Sequence, residues 1–310
     1  MANKITIRVC PLCGETQIKR AITCVDRTVS SELFYLCRCE KCGFLFTQDF
    51  PAEAEIGAYY NASSYISHSD THKGLVNKLY HGVRSFMLQR KAHIVECESH
   101  RKSGRLLDIG TGTGYFADTM HRQGWTVEAV EKSASARAFA QEHFSLEVKP
   151  EEALTEFAPE SFDVITLWHV LEHIEPLNKT FEVLNHLLAD NGVLIVAVPN
   201  HGSFDAKKYG AYWAAYDVPR HLWHFTPDTI QRFGNKHGFA MTARRPMPFD
   251  AFYVSILSER NMKHSFAFVR GMATGLAAWL ASLAKKERSS SMIYVFRKKK
   301  TPNKQMSFIV

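Results

Sequence analysis

The chain has 310 residues, 45% of them hydrophobic, enough for one sizeable domain with an appendage. Its formal net charge of +7 permits nucleic acid or anionic lipid as a partner and requires neither. The opening MANKITIRVCPLCG lacks the apolar run of a secretory signal, so a cytoplasmic location is expected, and the seven cysteines point to metal or free thiols and away from a disulfide framework.

Residues 1–50 are rich in cysteine and turn formers, with short strand-like runs ELFYL and FLFTQ. CPLCG (10–14) and CEKCG (39–43) are two Cys-x-x-Cys-Gly knuckles separated by 25 residues. Each knuckle aims two thiolates at one point. Cys10, Cys13, Cys39 and Cys42 are therefore expected to form a tetrahedral site, with Zn²⁺ the default ion and iron the alternative. Cys37 in place of Cys39 breaks that spacing, while Cys24 and Cys97 read as ordinary buried thiols. Four protein ligands close the coordination, so such an ion folds a small zinc-ribbon-like domain and does not activate water.

Residues 51–103 read as a helical linker or lid. A helix is predicted within KGLVNKLYHGVRSFMLQRKAHIVEC, where Leu75, Leu79, Val83, Phe86 and Leu88 keep roughly helical spacing. The aromatic and hydroxyl-rich stretch 59–74 before it is either a packing linker or part of an acceptor pocket.

From Gly104 to residue 300 apolar strands alternate with helices. RLLDI leads to a helix over 114–123, TVEAVE to one over 133–143, and the short LEV is followed by FDVITLW, a helix over 176–189 and GVLIVAVP. A further helix in TPDTIQRFGNKHG and strands in FAMTARRP and MIYVFRKKK complete the series. This alternation predicts an α/β fold whose parallel sheet is covered on both faces. A helical insert over 250–290 holds the most apolar stretch, SFAFVRGMATGLAAWLASLAKK (265–286), interrupted by Arg270 and two glycines. Burial in the protein or in a homodimer face is the expectation for it, with peripheral contact to the inner membrane the alternative. Residues 301–310 form a basic tail.

LLDIGTGTGYFADTM (106–120) is the most informative stretch. An apolar strand ends at Asp108, and Gly110, Gly112 and Gly114 let the backbone approach a ligand and open a helix. The dinucleotide fingerprint wants a glycine where Tyr115 stands, and no Gly-Lys-Ser/Thr run follows. Asp108 repels phosphate but suits an ammonium group, and Glu131, at the end of the second strand, is placed for both ribose hydroxyls. A ligand with an amino group, a ribose diol and no phosphate is S-adenosylmethionine.

With SFDVITLWHVLEHI added, residues 104–248 and 292–298 resemble the class I S-adenosylmethionine-dependent methyltransferases. The similarity is greatest to the branch of ubiquinone-biosynthesis O-methyltransferases and zinc-bearing sugar C-methyltransferases. The resemblance implies a Rossmann-like, doubly wound, seven-stranded sheet. It also implies that Asp108, Gly110, Gly112 and Gly114 hold the methionine end, that Glu131 holds the ribose, and that KPEEAL, with Glu151 and Glu152, flanks the adenine. Trp168, where the fourth strand ends, joins the cofactor-binding set.

LWHVLEH (167–173), VPNHGSF (198–204) and YDVPRHLWHF (216–225) are expected to converge beyond the carboxyl ends of the strands. Methyl transfer to a hydroxyl or an activated carbon needs a base of near-neutral pKa, for which histidine is suited. His221 is the first candidate, His224 the second and His169 the third, while His173 reads as a brace and His201 as a further candidate. A metal on the His221-x-x-His224 pair lacks an acidic third ligand at an obvious spacing. The expected acceptor is a small, sugar or lipid-linked molecule methylated on oxygen or carbon. The absence of an Asn/Asp-Pro-Pro-Tyr/Phe motif after the fourth strand weighs against nucleobase amines. The rivals are an RNA methyltransferase with a zinc-binding recognition domain, nucleic acid being the less expected partner, and a non-catalytic zinc-dependent interaction module.

Overall fold

A computed structural model of the chain describes residues 4–60 and 75–300. Most of the 59–74 stretch and the 301–310 tail lie outside the described residues. Seven strands form one sheet: β1 (Arg105–Ile109), β2 (Thr126–Val130), β3 (Val148–Lys149), β4 (Phe162–Trp168), β5 (Leu188–Pro199), β6 (Phe239–Met247) and β7 (Ser291–Lys298). Their order across the sheet is 6-7-5-4-1-2-3. β7 runs antiparallel to both of its neighbours, and every other pair is parallel. This is the doubly wound sheet that the alternating pattern predicts. The chain reverses direction across the sheet between β1 and β4, which opens a crevice beyond their carboxyl ends.

Side chains alternate between the two faces with the period of a strand. Leu106, Val164, Ile195 and Val295 pack with Ala92 and Val95 of the long helix Leu75–Ser99 and with Phe116 and Met120 of the helix Tyr115–Arg122. Their neighbours Leu107, Ile165, Leu194 and Tyr294 pack with Phe181 and Leu184 of the helix Leu177–Leu187 and with Ile230 and Phe233 of the helix Pro227–Lys236. Val83 and Phe86 keep the spacing of the long helix but are 46% and 55% exposed. Among its described side chains, Ala92, Ile94 and Val95 are buried in the sheet's core, with Met87 and Leu88 packed against it.

The cysteine-rich region folds as an antiparallel sheet of Ile18–Val25, Leu33–Cys39 and Leu45–Gln48. Its edge is extended by a strand from far along the chain. Trp223–His224 pairs with Leu45–Gln48, Trp223 opposite Phe46 and His224 opposite Leu45. Phe44, Phe46, Phe50 and Trp223 belong to the same apolar core as Leu107 and Leu194. The small unit therefore shares its core with the large sheet. A unit of this size buries too little surface to stand alone, and it borrows both a strand and a core from its neighbour.

An ion cluster locks the junction. Arg220 is 1% exposed; its Nη2 lies 3.0 Å from Asp26 Oδ1 and 2.6 Å from Asp217 Oδ1. Its Nη1 donates to the Tyr59 carbonyl at 2.8 Å. Removing the guanidinium leaves the Asp26 carboxylate buried without its counter-ion. Arg220→Met is therefore expected to cost roughly 3–5 kcal/mol of stability in urea denaturation. A loss below about 1 kcal/mol would mean that the ion cluster does not hold the junction.

Candidate functional site

The loop after β1 sits at the reversal point of the sheet. Gly110 has φ +68°, and a Cβ there would come within 2.5 Å of Val170 on the loop after β4. Gly112 has φ +58°, and a Cβ there would meet nothing within 4 Å, so the loop turns a bare backbone toward open space. Glu131, just past β2, accepts from the Gly112 amide at 2.9 Å through one carboxylate oxygen and from the Ser133 amide at 2.8 Å through the other. Two backbone donors thus fix the carboxylate beside the glycine loop, with lone pairs left for the hydroxyls of a ligand.

Asp108 is fully buried and accepts from the Thr166 hydroxyl at 2.6 Å. Burial pushes its carboxyl up to about 6, against the lowering effect of the Thr166 and Thr111 hydroxyls and of Lys91. Lys91 was not singled out by the sequence reading. It lies on the long helix with its Nζ 4.7 Å from the centre of the Trp168 ring. Burial pushes it down, and the charges of Asp108 and Asp250 pull it back up. Its neighbours Ala92 and Ile94 on the buried stripe were the available signal.

The remaining residues of the expected cofactor set fall on both sides of the crevice. Trp168 meets Phe116 edge to face at 5.3 Å, and its buried Nε1 has no hydrogen-bond partner among the described residues. Gly114 caps the following helix in a left-handed conformation. After β3, Glu152 is exposed, whereas the partly buried Glu151 feels the charges of Glu131 and Lys132.

The three candidate bases separate sharply. His169 has φ +59° and is clamped between two acids, with Nδ1 3.3 Å from Glu172 Oε1 and Nε2 3.2 Å from Asp250 Oδ2. Although burial opposes the charge, the two carboxylates push its pKa up to about 10. As an imidazolium it has no lone pair with which to take a proton, so the expected role as base does not suit it. His224 is 4% exposed inside the small sheet, with Nε2 3.1 Å from the Thr47 hydroxyl and its ring against Tyr216. The expectation had put it over the substrate; in the structure it is a buried partner of the cysteine-rich unit.

Of the three, His221 is partly exposed and its ring is held by a backbone carbonyl and not by an acid. Its Nδ1 lies 2.8 Å from the Ala215 carbonyl, so Nδ1 carries the hydrogen and Nε2 the lone pair. Its ring stands at 4.5 Å from that of His173. The Nδ1 of His173 is likewise held by a carbonyl, that of Arg220, at 3.0 Å. Burial and the charge of His221 push His173 down to about 4, so it is neutral at physiological pH. His201, also pushed down to about 4 by burial, follows β5.

Glu172 is fully buried, and its Oε2 has no hydrogen-bond partner among the described residues. Glu172, His173 and His221 offer ligand atoms within 4.8 Å of one another. The acid missing from the His221-x-x-His224 spacing is thus present in space, and His173 takes the position expected of His224. Sequence spacing could not find it, because the two segments meet only through the fold. This cluster is suited to a divalent cation or to the hydroxyls of an acceptor.

The four knuckle cysteines converge as their spacing predicts. Cys10 and Cys42 are 3.5 Å apart at sulfur, as are Cys13 and Cys39, and all four sulfurs lie within 4.8 Å of one another. Sulfurs at Zn–S distances around a tetrahedral ion are separated by about 3.8 Å, so the donor set fits such an ion. Cys37 stays outside the group, and Cys24 is a buried thiol that burial pushes up to about 12. Cys97, expected to be buried, is exposed on the long helix beside His93.

These features accord with what the chain resembles. The Methyltransferase domain family matches residues 81–244, more than half of the chain, and the protein belongs to that family. One relative is a ubiquinone biosynthesis O-methyltransferase of Caulobacter sp. (strain K31), 33% identical over 143 residues, which are 42% of this chain and 56% of the relative. Another, of the same description, is from Rhodopseudomonas palustris (strain HaA2), 29% identical over 164 residues, 49% of this chain and 63% of the relative. The chain thus spans somewhat over half the length of these relatives. Among solved structures, geranyl diphosphate C-methyltransferase from Streptomyces coelicolor A3(2) shares the fold, with a TM-score of 0.50 at 12% identity over 74% of this chain and 86% of that one.

The raised Asp108 carboxyl has a consequence for stability. A carboxyl whose folded pKa lies above its unfolded value opposes folding once the pH exceeds the unfolded value. Asp108→Asn keeps the acceptor for Thr166 and removes the buried charge. It is expected to raise the stability of the free protein at pH 7.5 by on the order of 1–3 kcal/mol, with the gain vanishing near pH 4. A destabilised variant at pH 7.5 would contradict that burial cost.

Proposed function

We propose that the protein is an S-adenosylmethionine-dependent methyltransferase acting on an oxygen, or an activated carbon, of a small or lipid-linked acceptor. The observation that carries this reading is the Glu131 carboxylate tied to the Gly112 amide beside the open face of the glycine loop. That arrangement fits a ribose diol on Glu131, and the buried anion of Asp108 suits the cationic amino-acid end of the donor. The description of the relatives as O-methyltransferases favours a hydroxyl acceptor. An RNA acceptor gains no support from those relatives.

S-adenosylmethionine supplies a methyl group on a positively charged sulfur. The chain's residues align the partners and manage the proton. His221 Nε2 would accept the acceptor's hydroxyl proton as the methyl group is transferred. The Ala215 carbonyl holds the tautomer that makes this acceptance available. His169, fixed as a cation between Glu172 and Asp250, orients the loop after β4. In this reading Cys10, Cys13, Cys39 and Cys42 hold Zn²⁺. The ion stabilises the small sheet, and through Trp223–His224 that sheet supports the segment carrying His221.

Calorimetric titration with S-adenosylmethionine is the test. Glu131→Ala is expected to weaken binding at least about tenfold, because hydrogen bonds to a charged group are worth roughly 1.5–3 kcal/mol. In the parent, affinity is expected to fall as the pH drops through about 6, where Asp108 takes up its proton. Equal affinities for parent and variant, or binding unchanged between pH 8 and pH 5, would overturn the assignment.

A further inference from the structure

Between β6 and β7, beyond the residues that match the family, the chain inserts an antiparallel pair of helices, Asp250–Asn261 and Ala267–Ala284. The second helix is amphipathic in the opposite sense to a soluble core helix. Its buried side is Gly271, Thr274, Gly275, Ala278 and Ser282. These small residues let the two backbones approach closely, for a Cβ at Gly271 would come within 2.5 Å of the Ile256 Cα. Its large apolar residues point outward: Phe268 and Leu283 are 62% and 66% exposed, with Val269, Met272, Leu276 and Leu280 exposed between them. Soluble helices bury their large residues, whereas small residues at the helix contact and large ones outside are the arrangement found in lipid.

The charges around this face are mostly basic, although Arg270 pairs with the Glu259 carboxylate at 2.9 Å. From Arg260 to Lys286 there is no acidic residue, while Lys263 and Arg270 lie toward one end and Lys285 and Lys286 at the other. Two clefts adjoin the latter end, of about 470 and 450 Å³. The first is lined by Arg90, Arg244, Arg245 and Lys286, the second by Lys207, Arg244, Lys285 and Arg288. Glu98 and Glu287 pair with Arg245 and Arg244, and Asp228 lies in the second cleft, so cations outnumber acids there.

We infer that this face docks on an anionic phospholipid surface, the helix Ala267–Ala284 lying in the plane of the interface with its basic end against the headgroups. A second copy of the chain fits less well. An 18-residue helix is about 27 Å long, and a stripe about 10 Å wide offers roughly 270 Å². A stable dimer needs about 800 Å² from each partner. Two such faces brought together would also set an excess of cations against an excess of cations. Anionic headgroups supply the opposite charge, and the outward Phe and Leu side chains enter the acyl boundary. The opposite face stays packed on Asp250–Asn261.

The test is flotation of the full chain with phosphatidylcholine vesicles that contain or lack phosphatidylglycerol, alongside light scattering. The parent is expected to float with the phosphatidylglycerol vesicles, less so in high salt. The double variant Leu276→Glu/Leu280→Glu, whose changes fall on exposed positions, is expected to lose that partitioning at least about tenfold with an unchanged circular dichroism spectrum. Lys285→Glu/Lys286→Glu is expected to lower it at least about tenfold through charge alone. No flotation of the parent, flotation unaffected by either variant, or a dimer that Leu276→Glu/Leu280→Glu dissociates would each overturn the inference.

Discussion

The pairing of Trp223–His224 with Leu45–Gln48 is the contact on which the rest of the structure depends. Two backbone segments nearly 180 residues apart join into one sheet, and the buried Arg220 guanidinium fastens them a few residues earlier. Burying a guanidinium is tolerable only with both Asp26 and Asp217 in place. The cysteine-rich unit thus presents the loop that carries His221. Its role is more than the independent fold that its closed coordination suggests. The core follows the same logic, because Phe44 and Trp223 stack at 6.2 Å between the two units.

Charge is partitioned across the crevice with a consistent sense. One side holds the buried anion of Asp108 and the pinned carboxylate of Glu131, suited to a cationic donor with a diol. The other holds His173 and His221, whose Nδ1 atoms are each held by a backbone carbonyl. Between them His169 is a cation neutralised by two acids. A base has to keep its lone pair, and a brace has to keep its charge. The same side chain serves either purpose according to its neighbours.

Much of this was legible in the sequence, for identifiable reasons. The buried stretches of β1, β4 and β5 read as mainly apolar runs, and the glycine loop and cysteine knuckles are local patterns whose geometry follows from spacing alone. What was not legible depends on contacts distant in sequence. His224 looked like a partner of His221 because only two residues lie between them, yet His224 enters the strand Trp223–His224 and is buried against Thr47, whereas His221 precedes it beside the Ala215 carbonyl. Glu172 joined His173 and His221 only once the loop after β4 met the segment after Tyr216. The insert showed the reverse difficulty: its apolar composition implied burial, whereas Gly271 and Gly275 turned the small residues inward and left Leu276 and Leu283 facing out.

The most direct measurement is hydrogen–deuterium exchange on the full chain, comparing the parent with Cys10→Ser. If the cysteine-rich unit holds the His221 segment, residues 214–225 lose protection together with residues 33–48, while β1 and β5 remain as protected as in the parent. Loss confined to residues 10–48, with 214–225 unchanged, would contradict that coupling.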